Sequence, residues 1–213
     1  MQHIFGLAVP QTLEDACDPH TTALLVYDMQ VGVLGQLPNA PQIIPQVVCV
    51  LEAARAAGLR VFFTRHLSLP KEVMGVMQMR TAMAWQQAPA AEVTPWFLRD
   101  APGFGLVPEV APLPREAVAD KITMSAFEGT FLNIALRDCG IRTVILIGVA
   151  LEVGIEPTAR HAADLGYIPV VVADACGGRD EEARQRSLAG LTFAGDSIIT
   201  EVAAICRVLG AAA

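Results

Sequence analysis

The sequence predicts a single α/β domain, a doubly wound parallel sheet with helices on both faces. Three observations carry this expectation. Apolar runs of strand length alternate with stretches of helical spacing along the whole chain. The runs are continuously apolar rather than alternating, which is the pattern of strands buried on both faces. Right-handed crossovers then wind such an alternation into an open sheet covered on two sides. A length of 213 residues fits one such domain, residues 1–213, and leaves no room for a second large one.

The first run, ALLVYD at 23–28, reads as a strand. Residues 43–57 have helical spacing and stop at Gly58, and LRVFFTR at 59–65 reads as the second strand. AVADK at 117–121 makes a short third strand. Residues 130–138 read as a helix with Gly140 as its C-cap, and TVILIGV at 143–149 is the most apolar strand. A helix over 157–165 ends at Gly166 and is followed by a strand, YIPVVVAD, at 167–174. Pro169 suits the start of that strand, where its missing N–H does little harm. A helix at 181–193, a strand at 196–200 and a helix at 201–209 complete the chain.

Residues 67–114 break the alternation. They hold Pro70, Pro89, Pro95, Pro102, Pro108, Pro112 and Pro114, together with Trp85, Trp96 and four methionines. A long excursion of this kind is functional or disordered, and its aromatic content argues against disorder. It reads as a packed segment, partly helical around 73–87, lying over the edge or mouth of the sheet or in a subunit contact.

Composition excludes several classes. The net charge is −7 with no cluster of Lys and Arg, which argues against nucleic-acid or anionic-membrane partners. The longest apolar stretch, 144–155, is interrupted by Glu152 and is too short to span a bilayer, which takes about 20 residues. The first 18 residues lack the pattern of a signal peptide. The five cysteines, Cys17, Cys49, Cys139, Cys176 and Cys206, are scattered without metal-ligand spacing. They read as free thiols in a reducing cytoplasm. No metal or cofactor is expected, and the expected partner is a small-molecule substrate.

Ligands of open α/β sheets bind beyond the carboxyl ends of the strands, so the polar residues at those ends are the candidates. The first strand ends at Asp28 and the third at Lys121. The central strand ends at GVALEVGIEPTARHAADLG, residues 148–166. Pro157 is tolerated only in the first helical turn, which places a helix start near residues 154–156. The amides of that turn carry partial positive charge and suit an anionic oxygen. Each residue also has a plainer reading: Asp28 as a loop cap, Lys121 as a surface lysine, and Gly154 as the glycine of a tight turn.

The segments LLVYDMQ (24–30), DKITMSAFEGT (120–130), ILIGVALEVGIEPTARHAADLGY (145–167) and VVVADAC (170–176) together resemble the isochorismatase-like hydrolases, over about residues 20–205. The resemblance implies a doubly wound sheet and an Asp–Lys–Cys triad acting on small amides. The Asp matches Asp28 and the Lys matches Lys121. The nucleophilic Cys position holds Gly154, as it does in the isochorismatases proper, which cleave a vinyl ether without a thiol. The resemblance also implies a cis peptide at Val149–Ala150 and a homodimer or homotetramer. Two features depart from it. Ile122, Thr123 and Met124 replace the residues that isochorismatases carry before SAF, and the metal-binding Asp-x-His pattern of nicotinamidases is missing around Arg65 and His66. Cys176 falls on the structural side of the site.

The expectation is therefore non-covalent hydrolysis of a vinyl ether or C–N bond. Asp28 moves the proton, Lys121 balances charge, and amides near Gly154 hold an oxyanion. A free carboxylate titrates near 4 and is a base at neutral pH; an adjacent amine reinforces this and burial opposes it. Ala150, Gly154 and Ile155 are the expected oxyanion or substrate contacts, with Phe127 and Trp85 as walls. Glu152 either faces the pocket or lies on the helix surface. The alternative is a non-catalytic binder or structural homologue that has lost its nucleophile.

Overall fold

The computed structural model describes residues 1–211. A short antiparallel hairpin, β1 (Gln2–Ile4) and β2 (Leu7–Val9), precedes one helical turn, α1 (Leu13–Ala16). The main sheet follows, as β3 (Thr22–Tyr27), β4 (Arg60–His66), β5 (Ala117–Lys121), β6 (Thr143–Val149), β7 (Ile168–Gly177) and β8 (Ile198–Thr200). Between the strands lie α2 (Val31–Leu34), α3 (Ala40–Ala56), α4 (Val76–Gln86), α5 (Leu132–Asp138), α6 (Glu156–Asp164) and α7 (Glu181–Ala194), and α8 (Val202–Ala211) closes the chain.

All six strands of the main sheet are parallel, in the order β5-β4-β3-β6-β7-β8. The chain starts at the centre, winds outward to β5, then returns beside β3 and winds out the other way. The reversal lies between β3 and β6, so their carboxyl ends open a crevice at the centre of the sheet. Every residue of β3 and β6 is buried, which explains their unbroken apolar runs.

Side chains alternate between the two faces. Leu24, Val26, Ile145 and Ile147 pack on α3 and α8, whereas Leu25, Tyr27, Val144 and Leu146 pack on α5, α6 and α7. At the end of β6, Gly148 has a φ of +119° and lies against the backbone of Tyr27, so a side chain there would meet both strain and a clash.

The expected strands are all present, and several boundaries move. β7 runs on to Gly177, past a register shift against β6 between Leu146 and Gly148, which places Cys176 inside the strand. Pro169 is its second residue, as expected for a proline in an interior strand. α5 starts at Leu132 rather than Thr130, because the Thr130 hydroxyl bonds back to Ala126 O at 2.6 Å and accepts from Leu132 N. The excursion over 67–114 is packed, with Val93, Phe97, Phe104, Val107 and Val110 buried. It docks on the segment after β3, through Val31 N to Gly105 O at 2.9 Å and Val107 N to Met29 O at 2.9 Å. Among the described residues, no helix is long and apolar enough to cross a membrane.

Candidate active site

Asp28 follows β3 directly, at the point where the sheet reverses. Its φ of 45° turns the chain out of the strand, a conformation that short polar residues adopt more readily than others. Its carboxylate is buried with two side-chain donors, the Thr64 hydroxyl to Oδ1 at 2.6 Å and Lys121 Nζ to Oδ2 at 2.7 Å. Thr64 also accepts from Asp28 N at 3.2 Å, so β4 fixes both ends of the residue. Lys121, the last residue of β5, crosses beneath β4 to reach it.

The Lys121 ammonium is fully committed. It donates to Asp28 and to Thr123 O at 3.2 Å, and it lies 4.2 Å from the centroid of the Tyr27 ring. Its side chain is 0% exposed, and burial lowers its pKa against the opposing pull of Asp28. The ammonium therefore has an anion, a carbonyl and an aromatic face around it. Its evident role is to hold the Asp28 carboxylate in place.

Across the reversal, β6 ends at a cis Val149–Ala150 peptide, the isomer that the resemblance implies. A π-helical turn, Leu151–Ile155, leads into α6. The amides of Val153, Gly154 and Ile155 all donate to Ala150 O, at 3.3, 2.9 and 3.2 Å. Tyr27 packs against this turn from below, and its hydroxyl donates to Met124 O.

Asp28 and Gly154 share a cleft with two lobes. The inner lobe, of about 100 Å³, is bounded by Tyr27, Asp28, Val149, Ala150, Val153 and Gly154, with Arg179 at its edge. The outer lobe, of about 220 Å³, is bounded by the excursion, chiefly Met74, Met77, Trp85, Trp96 and Phe97, and by Ile122. His66, Trp85, Phe97 and Met124 border both lobes. Burial, reinforced by the charge of Lys121, lowers the His66 pKa to about 4, so its imidazole is neutral near pH 7. Its backbone is held by Gln30, which accepts from His66 N at 2.6 Å and donates to His66 O at 3.1 Å.

The isochorismatase domain matches residues 22–202 of this chain. The chain belongs to the isochorismatase family. The isochorismatase family protein YecD of Escherichia coli O157:H7 is 28% identical over 180 residues, covering 79% of this chain and 86% of YecD. The ureidoacrylate amidohydrolase RutB of Methylorubrum extorquens is 31% identical over 183 residues, covering 75% of this chain and 71% of RutB. The crystal structure of a cysteine hydrolase from Pseudomonas syringae pv. phaseolicola shares the fold, with a TM-score of 0.80 at 22% identity, over 93% of this chain and 96% of that one.

In this isochorismatase-family chain the structure brings together Asp28, Lys121, Ala150, Gly154 and Trp85. Three other expected contacts lie elsewhere. Phe127 is buried against Tyr167 and His161, with ring centroids 5.7 and 5.6 Å away, on the face of the sheet covered by α5, α6 and α7. Ile155 is fully buried in the core beneath α6. Glu152 turns away from the inner lobe, and its Oε1 accepts the amides of Arg179 at 2.7 Å and Asp180 at 3.4 Å. The expected oxyanion donors need correction as well. The helical turn starts at Ala150, so the Gly154 amide closes an i to i−4 bond and the Ile155 amide an i to i−5 bond onto Ala150 O, whereas a helix starting at 154–156 would leave both free.

Cys176 is inert in this setting. It is buried, its Sγ lies 3.5 Å from Leu146 O, and burial pushes its thiol up to about 12. Tyr27, Thr64, His66, Phe97, Met124 and Arg179 were not singled out by the sequence as site residues. Thr64 and Tyr27 had a signal: each is a polar group one or two places from the end of an apolar strand. The position of Arg179 depends on how far β7 extends.

Proposed function

We propose that the chain hydrolyses a C–N or vinyl-ether bond of a small molecule without a covalent enzyme intermediate. One observation carries the reading. The inner lobe has a buried, doubly hydrogen-bonded carboxylate on its wall and no cysteine, serine or threonine among its described lining residues. Asp28, a carboxylate facing an ammonium, is set to take a proton from water. Lys121 keeps that carboxylate oriented, and neutral His66 offers the ligand a donor or an acceptor. Amide hydrolysis has the added support of the similarity to RutB, a ureidoacrylate amidohydrolase.

A non-catalytic binder is the competing reading. It is favoured by the engagement of the Gly154 and Ile155 amides with Ala150 O, which takes both out of oxyanion binding. The deciding experiment screens small amides, ureas and vinyl ethers, with products read by mass spectrometry. Hydrolysis predicts turnover that falls by about 10²–10⁴-fold in Asp28→Asn. Saturable ligand stabilisation with no turnover of any compound points to the binder, and full activity in Asp28→Asn removes Asp28 from the mechanism.

A further inference from the structure

Gly154 is not glycine for reasons of backbone conformation. Its φ lies outside the left-handed region, unlike that of Gly148. What a side chain at 154 would meet is Tyr27. A Cβ there would stand less than 3.0 Å from Oη, Cε1 and Cζ of that ring, closer than real Cβ atoms approach other groups. One edge of the phenol fills the volume in which a residue-154 side chain would begin.

Tyr27 is held in place by its contacts. It is 2% exposed. Its hydroxyl is tied to Met124 O, and its face carries the Lys121 ammonium 4.2 Å from the ring centroid. Burial, with the charge of Asp28 beside it, raises the phenol pKa well above its ordinary value, so the group stays a neutral hydroxyl. Swinging the ring away would break its hydrogen bond, expose a buried ammonium and open a cavity in the core beneath α6.

We infer that Tyr27 determines the reaction mode of this site. It occupies the place from which any side-chain nucleophile at 154 would act, and so confines the chemistry to Asp28 and water. Tyr27 and Gly154 are a matched pair, and neither can change alone without cost. The consequence for the reaction rests on the proposed hydrolase reading, whereas the steric pairing does not.

The test is a pair of double-mutant cycles, Tyr27→Val with Gly154→Ala and Tyr27→Val with Gly154→Cys. Each variant is followed by urea denaturation and by incubation with 4-nitrophenyl acetate. In the acylation step the position-154 thiol gives its proton to Asp28 and a bond forms between sulfur and the acyl carbon. The ester C–O bond breaks and 4-nitrophenolate leaves. Peptide mapping separates acylation at 154 from acylation of the native cysteines.

Gly154→Ala and Gly154→Cys are expected to destabilise the tyrosine-containing chain. Adding Tyr27→Val should recover at least about tenfold in the folding equilibrium constant beyond additivity. Acylation at 154 is expected in Tyr27→Val/Gly154→Cys and not in Gly154→Cys. Should Gly154→Cys fail to fold, folding of the double variant is itself the rescue, and the alanine cycle gives the coupling. Equal losses in both backgrounds, or a Gly154→Ala chain as stable as the parent, overturn the pairing. Coupling without acylation at 154 overturns the role of Tyr27 in reaction mode. If the double variant is acylated while the parent chain turns over no compound in the screen, the hydrolase reading fails and its consequence for the reaction with it, while the steric pairing of Tyr27 with Gly154 stands.

Discussion

Taking away the Lys121 ammonium leaves the Asp28 carboxylate buried, with Thr64 as its remaining side-chain donor and no counter-charge. Breaking one side of a buried pair costs about 3–5 kcal/mol, because the partner is left uncompensated. Lys121→Met should therefore lose stability of that order in urea denaturation, and Asp28→Asn/Lys121→Met should regain most of it. His66 supplies a pH signature. Its folded-state pKa of about 4 lies below the ordinary 6.5, so the fold favours the neutral ring. As pH falls below 6.5 the unfolded chain takes up a proton that the fold resists. Stability is then lost as pH falls through about 4, below which both states are protonated. For this half-buried ring the loss is up to about 3 kcal/mol. His66→Asn should flatten the fall in melting temperature across that window, and a fall unchanged from the parent would assign it to other groups. Asp28 and Lys121 were legible in the sequence because each is a charge closing an apolar strand. His66 was not, and Tyr27 was only as a polar group near a strand end, because their roles depend on what faces them across the sheet reversal, and a strand pattern does not say which ends converge.

At the scale of elements, strand and helix order followed from apolar periodicity, and the turn after β6 did not. Pro157 correctly marked the start of a helix, since α6 begins at Glu156, but nothing in 151–155 signals that three amides will share one carbonyl. That choice engaged the Gly154 and Ile155 amides and left Glu152 against the segment after β7. There Glu152 secures the link between β7 and α7, where Asp180 caps the helix by accepting from Ala183 N at 2.7 Å. Arg179, at the edge of the inner lobe, sits in this link. Glu152→Ala should release the amides of Arg179 and Asp180, giving faster hydrogen exchange there while the amides of β6 stay protected. Asp180→Ala, by contrast, should cost about 1 kcal/mol of stability through the lost cap and leave the Glu152 contact to Arg179 in place. Unchanged exchange at Arg179 in Glu152→Ala would show that the link is held by the strand and helix alone.

Across the whole molecule, the sheet and the excursion divide the work. The strand ends of β3, β4 and β5 supply the charged and polar groups, the end of β6 and the π-helical turn supply the opposite wall, and residues 67–114 supply the outer lobe. The parallel sheet was readable as a class because buried strands leave a continuous apolar record. The excursion was readable only as a packed segment, since besides its internal bonds it is anchored on the chain after β3, which lies far from it in sequence. One consequence is measurable without knowing the substrate. The chain has two tryptophans, Trp85 and Trp96, and both border the cleft. Trp85 touches both lobes, whereas Trp96 borders the outer lobe alone. Indole emission responds to the polarity around the ring, so a ligand that displaces water from the cleft should change the intrinsic fluorescence in a saturable way. Trp85→Phe should remove the response to a ligand confined to the inner lobe, whereas Trp96→Phe should preserve it. A ligand that reaches the outer lobe should lose part of its signal in each variant. If a compound turned over by the chain changes the emission of neither tryptophan, the cleft between Asp28 and the excursion is not where that compound binds.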